Sequence, residues 1–170
     1  MLKTLDVGCG RYKKEGSVGI DMKPFPGVDI VHNLNNFPWP IARDSFDLIV
    51  CKDIIEHLDD VVKTMEEFHR IGRPNAKIII DTPHFSNPNS FRDPTHRWHF
   101  SFDTFDYFDM DFQNPKYTDL KFKLVKKEFI FGRKWGIARI LSQFSKRRYE
   151  IYHSHRYPPY KLHFELMVIK

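Results

Sequence analysis

Residues 83–100, "PHFSNPNSFRDPTHRWHF", place three histidines, two arginines and an aspartate among prolines, asparagines and serines. Turn-forming residues at that density read as a loop. A long loop following an apolar run is a common seat of function. His84 and His96 are the candidate general bases, because an imidazole exchanges a proton near neutral pH. Arg97 could hold an anion, and Trp98 and Phe100 could form apolar walls. The plainer reading of each histidine is a loop residue making structural hydrogen bonds. A metal site drawn from His84, Asp93, His96 and His99 follows no recognised ligand spacing, so no metal is expected.

A second chemical signature opens the chain. In "LDVGCGRYKKEGSVGIDM" (5–22) a short apolar run enters a glycine pair, and a second apolar run ends on Asp21. Such a pattern belongs to a backbone loop that cradles a nucleotide, with the acid on a ribose. The dinucleotide fingerprint needs a third glycine and a helix N-terminus facing a pyrophosphate. Lys13 stands where that glycine would fall, and residues 11–20 are too few for a crossover helix. Asp6 beside the loop would repel a pyrophosphate but suit a ligand carrying an ammonium and a sulfonium. The residues therefore argue against NAD.

The elements that must position these groups follow from periodicity. Runs 3–7, 17–21, 28–32, 46–51 and 77–82 are β-like, and the last two are apolar enough for central strands. Val61, Val62, Met65, Phe68 and Ile71 recur at helical spacing. Asp59 or Asp60 can cap that helix, and Gly72 with Pro74 ends it. A short helix over 101–110, capped by Ser101, would turn Phe102, Phe105 and Tyr107 or Phe108 inward. Residues 136–152 read as one basic amphipathic helix. Two late strands, 122–131 and 160–170, would close an alternating α/β chain with an antiparallel edge.

The 170 residues suffice for one domain with a sizeable core. No long apolar run suggests a membrane span, and the sequence enters a strand at once, leaving no room for a signal peptide. Cys9 and Cys51 form no ligand or disulfide pattern, so a reducing cytoplasm is the expected setting, and Cys9 is an unpromising nucleophile. The net charge of +5 divides unevenly, with 13 basic against 18 acidic residues in 1–115 and 14 against 4 beyond. The later third could face a polyanion or merely water.

These motifs together resemble the class I S-adenosylmethionine-dependent methyltransferases, most closely their small type 11-like branch. "LDVGCG" is similar to their first motif, "GIDM" to the end of the second strand, and "VDIVHNLNNFPWP" to the third strand with its adenine-side loop. "SFDLIVCKDIIEHLDD" matches the fourth-strand motif, and "VVKTMEEFHRIGRPNAKIIIDTP" runs on through the fifth. The resemblance spans about residues 3–83, the cofactor half, leaving 84–170 as a variable, acceptor-side half of one domain. It implies a single Rossmann-like, doubly wound sheet of about seven strands, order 3-2-1-4-5-7-6, with the last strand antiparallel.

The same resemblance implies S-adenosyl-L-methionine as cofactor. Asp6 would meet its cationic end, Gly8 and Gly10 would let backbone approach its methionine portion where a Cβ would collide, and Cys9 between them would belong to the same cofactor loop. Asp21 would accept from the ribose hydroxyls, Met22 would pack on adenine, and Asn33 and Leu34 would stand where Asp-Leu is usual. Lys52 and Asp53 would close over the reactive centre. His57, Asp93, Arg97 and Trp98 become candidate acceptor contacts, His57 as a helix-end residue and not a base, while Trp39 would pack behind the adenine loop. Two departures are the missing helix before the first strand and "RPNA" at 73–76 in place of a glycine turn.

Methyl transfer is an in-line displacement governed chiefly by positioning, which can contribute about 7–11 kcal/mol. The absence of an Asn-Pro-Pro-Tyr-like motif leans towards a hydroxyl, carboxyl or similar small-molecule acceptor. Two alternatives remain. One is a methyltransferase that docks RNA or another polyanion through Lys121, Lys123, Lys126, Lys127, Arg133, Lys134, Arg147 and Arg148. The other is a cofactor-binding protein without catalysis. The pattern leaves oligomeric state open.

Overall fold

The computed structural model describes residues 2–113, 117–133 and 136–170. Its centre is a mixed sheet whose innermost strands are also its most apolar. β1 (Thr4–Val7), β2 (Val18–Asp21), β3 (Ile30–Val31), β4 (Phe46–Lys52) and β5 (Gly72–Pro83) run parallel. β7 (Lys161–Ile169) lies antiparallel between β5 and β6 (Lys121–Ile130), giving the order β3-β2-β1-β4-β5-β7-β6. Fold class and strand order agree with expectation. Strands from the two halves of the sequence share this one sheet.

Burial follows sequence period. Leu162, Phe164, Leu166 and Val168 of β7 are fully buried and alternate with partly exposed neighbours, Lys161, His163 and Glu165 among them, as the strict period of two requires. α1 (Val61–Ile71) turns Met65, Phe68 and Ile71 into the core, and Asp60 caps it by accepting the Lys63 N–H. Behind β4, Trp39 is almost wholly buried and meets Phe68 edge-on. The Glu67 carboxylate accepts the Trp39 backbone N–H at 2.7 Å and both Arg70 guanidinium contacts, while Arg70 donates to the Trp39 carbonyl. Trp39 thus has the packing role the sequence suggested.

Several boundaries differ for identifiable reasons. The third strand shrinks to Ile30–Val31 because Asp29 spends its carboxylate on the Gly19 N–H and Lys13. The 101–110 segment forms only a 3₁₀ turn at Thr104–Phe108, with Phe102, Phe105 and Phe108 buried and Tyr107 half-exposed. The expected helix 136–152 is two helices, α3 (Gly136–Phe144) and α4 (Lys146–Tyr152), because Ser145 turns extended and caps the second. No crossover helix joins β1 to β2; the Lys14 N–H is tied back to Asp6 at 2.7 Å.

The Glu67 network yields a direct expectation. Glu67→Ala leaves the buried Trp39 amide and the Arg70 guanidinium short of an acceptor. It should destabilise the protein by about 1–3 kcal/mol, read as a lower urea midpoint at unchanged slope.

Candidate active site

The carboxyl ends of β1, β2 and β4 meet where open α/β sheets bind ligands. Gly8 and Gly10 leave β1 with φ of 64° and 54°, a region that favours glycine. A Cβ on Gly8 would lie 2.4 Å from the Ile54 side chain, so its bareness makes room for a protein neighbour first. A Cβ on Gly10 would meet nothing within 4 Å, and that backbone faces open space. The Gly10 N–H donates to Asp21 Oδ2 and the Lys23 N–H to Oδ1, both at 2.9 Å. Two main-chain donors therefore hold this carboxylate at the tip of β2, with lone pairs left on both oxygens. Met22 beside it is exposed.

The other donor-side candidates divide. Asp6 is buried next to the loop. Cys9 is nearly buried, and burial followed by the charges of Asp6 and Asp21 pushes its thiol up. Asn33 accepts the Asn35 N–H, a turn contact. Leu34 is buried in the core, and its carbonyl accepts the Trp39 indole N–H at 3.0 Å. Lys52 is exposed 3.4 Å from Asp81. Asp53 has a φ of 52°, and its carboxylate pairs with Lys161.

Beyond β4 a second space opens. A cleft of about 490 Å³ is lined by Asp53, Glu56, His57, Arg92, Asp93 and His96, with Tyr160 and Lys161 at its β7 side. Its walls come from two distant stretches clamped together. The Glu56 carbonyl accepts the N–H of Arg97 at 2.8 Å and of Trp98 at 3.3 Å. The Trp98 indole donates to the Leu58 carbonyl, and Arg97 pairs with Asp59 at 2.9 Å. His57 Nδ1 meets Thr95 Oγ1 at 2.8 Å, and its ring stands edge-on to His96, centroids 4.5 Å apart.

Glu56 was absent from the sequence-derived candidates. It is 1% exposed; Oε2 accepts from Thr82 at 3.0 Å, while Oε1 has no hydrogen-bond partner among the described residues. Burial pushes its carboxyl up to about 7. A carboxylate next to apolar Ile54 and Ile55 and before His57 was the signal that could have found it. The His57 imidazole is pushed down, mainly by burial and then by His96.

Comparison with known proteins bears on the fold that carries this arrangement. Residues 17–80 match the family model described as a methyltransferase domain. A Hahella chejuensis ubiquinone biosynthesis O-methyltransferase is 29% identical over 110 residues, 52% of this chain and 46% of its own. A Mycolicibacterium smegmatis protein, named a probable S-adenosylmethionine-dependent methyltransferase, is 40% identical over 60 residues, 35% of this chain and 23% of its own. The chain thus spans less than half the length of these curated relatives. A solved S-adenosylmethionine-dependent methyltransferase from Mesorhizobium loti superposes with a TM-score of 0.63 at 14% identity, over 98% of this chain and 90% of that one. The chain has the fold of the class I S-adenosylmethionine-dependent methyltransferases.

In that fold, the glycine loop and Asp21 lie at the carboxyl ends of β1 and β2, and the 490 Å³ cleft lies beyond β4. His57, Asp93 and His96 of the sequence-derived set line the cleft. Arg97 and Trp98 do not; they fasten its wall. His84 is fully buried outside it, Nδ1 on Ser86 at 2.8 Å and Nε2 on Glu150 at 2.9 Å. Of the proposed polyanion contacts, Lys126 pairs with Glu128, and Lys127 with Asp103 and Asp106. Lys134 lies outside the described residues.

The glycine geometry separates two substitutions. Gly8→Ala drives a methyl into Ile54 and should unfold the protein at a lower temperature. Gly10→Ala meets no protein atom and carries only the backbone penalty of about 1 kcal/mol. Differential scanning calorimetry should show the larger loss for Gly8.

Proposed function

We propose that this chain transfers a methyl group from S-adenosylmethionine to an oxygen of a small acceptor held in the cleft beyond β4. The observation that carries the reading is the Asp21 carboxylate, fixed by two backbone amides beside the open face of Gly10. A carboxylate with free lone pairs at the end of a second strand fits the paired hydroxyls of a ribose. Asp6 and Asp21 give that end of the sheet the negative charge that suits a cationic donor. When bound, the donor supplies an electrophilic methyl group. The remaining work, holding the acceptor in line and excluding water, falls to the chain.

The cleft volume suits a small molecule. Its charged and imidazole lining favours a polar acceptor over a hydrocarbon. The O-methyltransferase name of one relative agrees with an oxygen acceptor. Of the two histidines first considered as bases, His96 is the one lining the cleft. Its lone pair can take the acceptor's proton or hold a group that polarises the acceptor. His84, bonded at both ring nitrogens, positions Ser86 and Glu150 instead.

Isothermal titration with S-adenosylmethionine, its demethylated product and NAD tests the donor. The first two should bind and NAD should not; the reverse preference overturns the reading. Asp21→Ala removes charge-assisted hydrogen bonds and should weaken donor binding by about 10–100-fold. His96→Asn should lower turnover with donor affinity retained, whereas His84→Asn should chiefly lower thermal stability. Donor binding without transfer to any hydroxyl or carboxyl acceptor would leave a binding protein.

A further inference from the structure

We propose that Glu56, His57 and His96 form a binding site for one divalent transition-metal ion, of the zinc class, facing the acceptor cleft. One potential donor atom from each of the three residues lies within 4.8 Å of the others. They come from the turn after β4 and from the segment after β5, which the Glu56 carbonyl clamps together through the amides of Arg97 and Trp98.

Hydrogen bonding explains why these groups suit an ion. Thr95 Oγ1 donates to Asp93 Oδ1 at 2.7 Å, so the His57 Nδ1–H donates to Thr95. His96 Nδ1 meets the Ser90 carbonyl at 3.0 Å, which only accepts, so that nitrogen also carries the proton. Both rings are thereby fixed in the tautomer that leaves Nε2 as a lone pair. Ligating histidines are held in this way, the other ring N–H donated to an oxygen. Glu56 supplies what the imidazoles lack. Its Oε1 is buried and without a partner among the described residues, while Oε2 is anchored on Thr82.

Two imidazoles and one carboxylate are the donor set of catalytic zinc and of facial-triad iron sites, both of which keep open positions. Oxygen-seeking magnesium or calcium would want more carboxylates. Donors about 2.0–2.2 Å from one ion stand no more than about 4.4 Å apart. Loading therefore needs at most a small inward rotation of the rings. Asp53 is not counted, because Lys161 holds it. The open positions would face the cleft and could take an acceptor oxygen. The O–H bond would break, the oxygen would bind the ion, and the proton would pass to water. This acceptor role rests on the function proposed above; ion binding does not.

Chelator-treated protein titrated with Zn²⁺ alone should bind one equivalent, and Co²⁺ should develop visible d–d absorption. Glu56→Gln, His57→Asn and His96→Asn should each weaken Zn²⁺ binding by at least about tenfold. Thr95→Val, which frees the His57 ring, should weaken it by about 10–100-fold. Glu56→Gln replaces a buried charge by a neutral isostere, so its thermal midpoint should not fall, and its loss of binding reports ligation. No stoichiometric binding, preference for Mg²⁺, or binding unchanged in all three ligand variants would overturn the site. Binding of Zn²⁺ without affinity for S-adenosylmethionine would keep the site and remove the donor assignment.

Discussion

Glu56 is where three stretches of chain meet, and the arrangement of the cleft beyond β4 depends on it. Its carbonyl receives two amides from the segment after β5, and its side chain receives the Thr82 hydroxyl at the end of β5. It stands just beyond β4 itself. Removing a carboxylate from water costs several kcal/mol unless its lone pairs are satisfied. Here one oxygen is satisfied and the other has no partner among the described residues. The main-chain clamp holds the residue whatever its side chain does. An unsatisfied buried acceptor in a folded protein calls for an explanation, and the metal site proposed above would supply one.

The glycine loop at the ends of β1 and β2 is built on the opposite plan. Gly8 and Gly10 contribute conformation, not chemistry, and Asp21 is held by amides that any residue could supply. Short parallel strands make this economical. β1 need only carry four buried residues before its carboxyl end delivers the loop to the edge shared with β2 and β4. The tie from Asp6 to the Lys14 N–H then stands in for the crossover helix, closing the return to β2 in ten residues.

The sheet and the donor loop were legible in the sequence because both are local. Alternation in 160–170, the apolar runs at 46–51 and 77–82, and the glycine–acid spacing act within a few residues of one another. The helix pair at 136–152 was less so, since one serine taking extended geometry outweighed a continuous helical period. The cleft beyond β4 was half legible. Loop composition pointed to 83–100, and His96, His57 and Asp93 do line the cleft. Which histidine faces in was not readable, because His84 is turned away by Glu150, 66 residues later. Glu56 escaped notice for the same reason: its importance comes from Thr82, Arg97 and Trp98, none of them near it in sequence.

That contrast bears on where chemical identity resides in this fold. The glycine loop with Asp21 is made mostly of backbone and constrains few side chains. The cleft is lined by side chains brought from the turn after β4, the start of β7 and the segment after β5. In the proposed function, a change of acceptor would be written in the cleft, between elements that main-chain hydrogen bonds hold together. Trp98 and Arg97 show a division of labour, spending their own groups on Leu58 and Asp59, while Glu56 holds the wall with its carbonyl and leaves its side chain to the cleft. A cleft whose framework is held largely by main chain and by residues outside its lining can change its chemistry without losing its shape.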